Sequence, residues 1–155
     1  MNSARVFTPE NHLARHMRRG GPTSAELIAD ADKRVSALAD SIRGFVVGKL
    51  QEIRPFADQT DDDLFAGSDV ISGLAMNIAE VGDAAGLNAL ADVTRGIVTM
   101  IEGLRTLGVW HPDALRLHIR ALGLLSPDAP PLSRQDEARI VEDLQNMRRS
   151  INLTD

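Results

Sequence analysis

The residues Ile28, Ala31, Val35, Leu38, Ile42, Phe45, Lys49 and Ile53 follow one another in steps of three or four, and all but Lys49 are apolar. No other feature constrains the fold as strongly, because this spacing places a side chain on the same side of a helix at every turn. No proline interrupts the series before Pro55. The spacing therefore predicts one helix of about 30 residues, roughly 45 Å long. Thr23 precedes Glu26 by three residues, the spacing at which a hydroxyl and a carboxylate satisfy each other's free amides at a helix start. Gly44 and Gly48 lie inside the helix. Each costs about 1 kcal/mol relative to alanine, and such small residues are expected where a neighbouring helix comes close.

The same period recurs down the chain. The acidic stretch Asp58 to Asp63 reads as a turn followed by first-turn acids at the positive end of a helix dipole. It lacks the turn glycine and distal glutamate of a calcium loop. A helix is expected from there to about Val81, with Ile71, Leu74, Ile78 and Val81 facing inward. Gly82-Asp83-Ala84-Ala85-Gly86 breaks it, and Leu87, Leu90, Val93, Ile97, Ile101 and Leu104 carry the next stripe, giving an antiparallel hairpin. Pro112 and Asp113 suit the first turn of a further helix, with His111 as its expected N-cap and Leu115, Ile119 and Leu122 facing in. After a turn-rich connector from Ser126 to Pro131, Ser133 and Asp136 open a last helix bearing Ile140, Leu144, Met147 and Ile151. The expected fold is all-α: an antiparallel four-helix bundle over residues 22–155, preceded by a basic N-terminal helical arm over residues 1–21. In that arm Arg5, Arg15, Arg18 and Arg19 face a single acid, Glu10, and Gly20-Gly21-Pro22 closes it. Two helical turns over His12 to Arg19 would align Leu13 with Met17.

Composition narrows the function. Aromatic residues make up 3% of the 155 residues, with no Tyr and one Trp, which favours helix over strand. A formal net charge of -5 argues against nucleic acid, which demands a field of Lys and Arg along the phosphates. No apolar run approaches the roughly 20 residues that span a bilayer, and no apolar segment of a secretory signal follows Arg5 or Arg15. Membrane insertion is thus not expected, and a cytoplasmic location is. The chain has no Cys, which removes disulfides, thiolate nucleophiles and Cys-based zinc sites.

The motifs of chemistry are equally sparse. His12 and His16 stand four apart, but no third ligand is evident and the surrounding arginines repel a cation. His118 borders Ile119 on an amphipathic helix and reads as a boundary residue. There is no nucleophile elbow and no phosphate-binding loop, since Gly82 and Gly86 lack the Lys and Ser or Thr that would follow. The reading is a non-enzymatic protein without metal or cofactor.

The hairpin from about Ser68 to Gly103 resembles the histidine phosphotransfer (Hpt) domain of two-component signalling. Ala85-Gly86-Leu87, Leu90 and Ile101-Glu102 match the turn and second helix of that pattern. The resemblance implies a four-helix bundle that meets receiver domains, and it puts Met76 where the phospho-acceptor histidine would stand, with Ala79 and Glu80 in place of Lys and Gly. A thioether takes no phosphoryl group, and Glu80 repels one. His16-Met17-Arg18-Arg19-Gly20 carries a second, displaced match, so His16, with His118, is a candidate phospho-acceptor. The basic arm ending in Gly20-Gly21, the long helix and Leu115-Arg116-Leu117-His118-Ile119-Arg120-Ala121-Leu122 together are similar to the alphaproteobacterial CheE chemotaxis proteins. That resemblance implies an accessory chemotaxis component engaging a response-regulator receiver domain or a histidine kinase.

Helical geometry gives the same region a surface role. With Ile71, Leu74, Ile78 and Val81 turned to the core, Met76 lies roughly 200° from Leu74 and faces solvent. Asp69, Ser72, Gly73 and Glu80 share its surface, with Asp83 at the rim, and a flexible thioether suits an adaptable contact. The expected partner-binding residues are therefore Asp69, Ser72, Gly73, Met76, Glu80 and Asp83. The other expectation is a homodimeric scaffold pairing through the long helix.

Overall fold

A computed structural model describes residues 23–151, and every regular element among them is helical. Six α-helices follow in order: α1 (Ser24–Ile53), α2 (Asp61–Ala66), α3 (Ser68–Gly82), α4 (Asn88–Leu107), α5 (Pro112–Leu124) and α6 (Arg134–Ser150). Short 3-10 turns at Arg54–Asp58 and Asp83–Ala85 connect them. The expected arm, with His12, His16 and the arginines that flank them, lies outside the described residues. The described residues fall into two compact units, 23–36 and 37–151.

In the first unit, α1 begins as its sequence requires. The Thr23 hydroxyl accepts the Glu26 N–H (3.2 Å), and the Glu26 carboxylate accepts the Thr23 N–H (2.6 Å) and hydroxyl (3.0 Å). These bonds hold the Glu26 carboxyl below its usual pKa. Each residue from Thr23 to Ser36 is exposed. Leu27, Ile28 and Val35 keep 57%, 62% and 67% of their surface in water, so the predicted apolar stripe exists here without a cover among the described residues.

The second unit contains the core. Val46, Leu50 and Ile53 of α1 join Leu64 of α2, Ile71, Leu74, Ala75 and Ile78 of α3, and Leu90, Val93, Ile97, Met100, Ile101 and Leu104 of α4. Leu115, Ile119 and Leu122 of α5 and Leu144 of α6 complete it. The hairpin is formed by α3 and α4. Arg105 near the end of α4 reaches Asp69 (2.7 Å) and Ser68 (2.7 Å) at the start of α3, while Arg95 nearer the start of α4 reaches Asp83 (2.9 Å) beyond the end of α3. Near and far ends pair in opposite order, so the two helices run antiparallel. Gly86 turns the chain with a φ of 73°, a left-handed conformation that costs other residues a steric clash.

Three local expectations need correction. The helix after the acidic stretch is two helices, interrupted at Gly67, where the Phe56 ring leaves no room for a Cβ. Thr60 caps the first of them through the Asp63 N–H. Gly44 and Gly48 have no atom within 4 Å of an added Cβ, so no described neighbour comes close at either. Close approach occurs instead at Gly82, against Ala91, and at Gly96, against the Arg148 guanidinium. Finally, His111 occupies the N-cap position of α5 but makes no capping hydrogen bond; Pro112 and Asp113 occupy the first turn as expected. Ser133 does cap α6, accepting the Asp136 N–H at 3.1 Å.

Candidate functional site

The outward surface of α3 is built by the inward one. Burial of Ile71, Leu74, Ala75 and Ile78 fixes the rotation of the helix, and the residues about half a turn away are left to solvent. Met76 retains 45% of its surface, and Asp69, Gly73 and Glu80 are also exposed. Ser72 is half-buried. Gly73 has open space where a Cβ would stand, so the surface around Met76 is low on that side. The structure thus brings Asp69, Ser72, Gly73, Met76 and Glu80 onto one face. Asp83 lies just past the helix, in the 3-10 turn.

The acids at the two ends of this face have partners of their own. Asp69 is tied to Arg105 and Asp83 to Arg95, which also holds Asp92 at 2.6 Å. The first pair balances its charge, while Arg95 serves two carboxylates and leaves a net negative charge at its end, with Glu80 between the two pairs. Exposed pairs of this kind each contribute under about 1 kcal/mol, so they brace the hairpin weakly and exchange partners at little cost. Val70, 55% exposed on the same helix, adds a second apolar side chain that the sequence reading passed over. Its signal was present: it falls one residue before Ile71 in the inward series.

The candidate phospho-acceptors are placed differently. His16 is outside the described residues. His118 is not at a boundary: its residue has no exposed surface. The ring packs where α5 meets its neighbours, and Nδ1 is 2.9 Å from the Ala114 carbonyl. A carbonyl only accepts, so Nδ1 carries the proton and Nε2 is bare, buried and without a hydrogen bond among the described residues. Burial pushes the pKa down to about 4; the Ala114 bond opposes this and the Arg148 charge adds to it. Arg148, itself 5% exposed, lies across Gly96. Sequence reasoning missed this polar cluster because Arg148 sits among the charges of an outwardly polar helix and nothing local marks it as buried.

A second feature that the sequence did not announce is the contact of Phe65 with Trp110, edge to face with centroids 5.1 Å apart. Phe65 is 56% exposed, as are Leu107 and Val109 to similar degrees, so this end of the second unit presents apolar surface. An open hollow of about 320 Å³, lined mostly by apolar groups of Pro112, Ala114, Leu117, Met147 and Ile151, has His111 and Asp113 at its wall. Among the described residues no group of three or more His, Asp or Glu side chains is placed to hold a metal ion, and no helix is long and apolar enough to cross a membrane. No family model matches the chain, and neither a curated protein nor a solved structure matches it.

Proposed function

We propose that the protein is a non-catalytic adaptor of a two-component or chemotaxis pathway, binding a receiver domain or a histidine kinase through the outward face of α3. The observation that carries this reading is Met76, an exposed thioether on the first helix of an antiparallel hairpin, which the sequence resemblance aligns with the acceptor histidine of an Hpt bundle. A face of this kind keeps the shape that a receiver recognises and lacks the nucleophile. Occupancy, not phosphoryl transfer, is then the output. Burial of His118 supports the same reading, since a ring with no exposed surface offers no nitrogen to an incoming phosphoryl group.

The surface is suited to docking on physical grounds. Met76 adapts its three rotatable bonds to a partner, Val70 and Gly73 offer a low apolar margin, and the Asp69–Arg105 and Asp83–Arg95 pairs provide a charged rim that rearranges cheaply. Isothermal titration of candidate receiver and kinase domains into the full chain tests the reading. A partner that binds should lose roughly tenfold or more in affinity with Met76→Arg, while the helical circular dichroism stays unchanged. Binding that survives the substitution removes the α3 face from the account. A stable phosphohistidine formed on incubation with an active kinase removes the non-catalytic reading altogether.

A further inference from the structure

The connector between α5 and α6 holds three of the chain's seven prolines, Pro127, Pro130 and Pro131, and they set its conformation. Proline fixes its own φ near -65°, and a residue that precedes proline is kept out of the helical region, so Ala129 and Pro130 are both extended. Ser133 continues in kind, with φ -71° and ψ 154°. Residues 130–133 belong to no helix or turn, and no hydrogen bond among the described residues uses the carbonyls of Pro130, Pro131 or Leu132. This strip therefore has polyproline-II character. Pro127 does not extend it, because the Ala129 N–H closes a turn there on the Ser126 carbonyl at 2.9 Å. Both ends are held in place. Asp128 accepts from Arg54 at 3.2 Å and from Ser126, while Ser133 caps α6. A strip that is ordered in advance loses less entropy on binding.

Pro130, Pro131, Leu132 and Ser133 are all exposed. Beside them lies an open hollow of about 340 Å³, lined by the first three together with Leu87 and Leu124, of which Leu124 keeps 58% of its surface. Arg43 and Glu137 are the charged groups of the lining. We propose that this strip and hollow receive Trp or Tyr side chains of a partner protein, which stack on the prolines. Grooves that read polyproline-II segments are lined with aromatic side chains, and the other groups of the hollow suit the same occupant. A guanidinium attracts the face of an aromatic ring, and Arg43 is committed only to an exposed pair with Asp40 at 3.3 Å. The Glu137 carboxylate is half-buried and accepts no hydrogen bond among the described residues, so it fits an indole N–H or a phenol O–H. An aliphatic side chain would leave that carboxylate unused, and a cationic one would meet Arg43. The ring comes from another protein, since this chain has no Tyr and its one Trp, Trp110, packs against Phe65. The site shares no residue with the outward face of α3, so each proposal can fail without the other.

Two probes test the site on the full chain. In NMR spectra, N-acetyltryptophanamide should shift the signals of Leu87, Leu124, Leu132 and Ser133 saturably, and N-acetylleucinamide at the same concentration should leave them unmoved. Equal shifts with the two amides, or shifts scattered over the surface, would overturn the proposal. The second probe is a panel of isolated SH3 and WW domains, whose grooves are aromatic. At least one should bind more tightly than about 1 mM and lose roughly tenfold in affinity when Pro130→Ala is combined with Pro131→Ala. Leu124→Ser should weaken the same complex severalfold. All three positions are exposed, so the helical circular dichroism should not change. No binding across the panel would overturn the proposal. A double variant that melts at a lower temperature yet binds as before would overturn it too, by confining the prolines to holding the connector.

Discussion

The first three turns of α1 and the whole of α4 carry the same kind of sequence and meet opposite fates. Leu27, Ile28, Ala31 and Val35 repeat with the helical period, as do Leu90, Val93, Ile97, Ile101 and Leu104. Yet Val35 keeps 67% of its surface while Ile97 and Ile101 keep none. The difference teaches that periodicity writes a face and leaves its partner unspecified. In α4 the facing residues come from α3, α5 and α6; at the start of α1 no described residue supplies them. Burial of a side chain such as Leu or Ile is worth roughly 1.5–3 kcal/mol, so the two stretches should differ sharply in what they contribute to stability.

The largest effect should come from truncating α4. Ile101→Ala or Leu104→Ala removes a fully enclosed side chain, and urea unfolding should show a loss of about 2–5 kcal/mol. A loss below about 1 kcal/mol would break the comparison at its stronger end. Next in size is the buried imidazole of α5. His118 titrates near 4 when folded and near 6.5 when free, so the unfolded chain binds the extra proton between these values. Its contribution is fully present above pH 6.5 and disappears as pH falls toward 4, on the order of 3 kcal/mol across that window. The fall should be visible as a steeper acid dependence of the urea midpoint than in His118→Met, and parallel profiles would show that the ring is hydrated.

Smaller effects distinguish the glycines. Gly96→Ala drives a Cβ into the Arg148 guanidinium, and thermal melts should show a cost of about 1–3 kcal/mol. Gly44→Ala, with open space around it, should instead raise stability by roughly 0.5–1 kcal/mol through helix propensity alone. If it lowers stability, some neighbour outside residues 23–151 packs there. The smallest effect belongs to the first unit: Val35→Ala should change unfolding free energy by less than about 0.5 kcal/mol. A larger loss would break the comparison at its weaker end by showing that the stripe is covered.

Legibility in the sequence followed the range of the forces involved. Starts and stops came from neighbours three residues apart: Thr23 with Glu26, Ser133 with Asp136, and the left-handed Gly86 all appear where the local chemistry put them. The exposed position of Met76 was readable too, since burial of Ile71, Leu74 and Ile78 leaves it no other side. The need for glycine at the break, position 67, was not, because the ring packed against it is Phe56, eleven positions upstream and in contact only once the chain has folded. Nor were the ties of Asp69 and Asp83 to α4, which depend on how far Arg105 and Arg95 reach across the hairpin.

By itself the sequence determined that this chain is helical, where most of its helices begin, and which side of each is apolar, because backbone hydrogen bonds, caps and side-chain period are properties of adjacent residues. Only the tertiary structure decided which apolar sides are enclosed, that His118 and Arg148 go inside, and that the first turns of α1 do not. Those outcomes depend on which surfaces meet across the folded chain, and a pattern confined to one helix cannot encode the position of another.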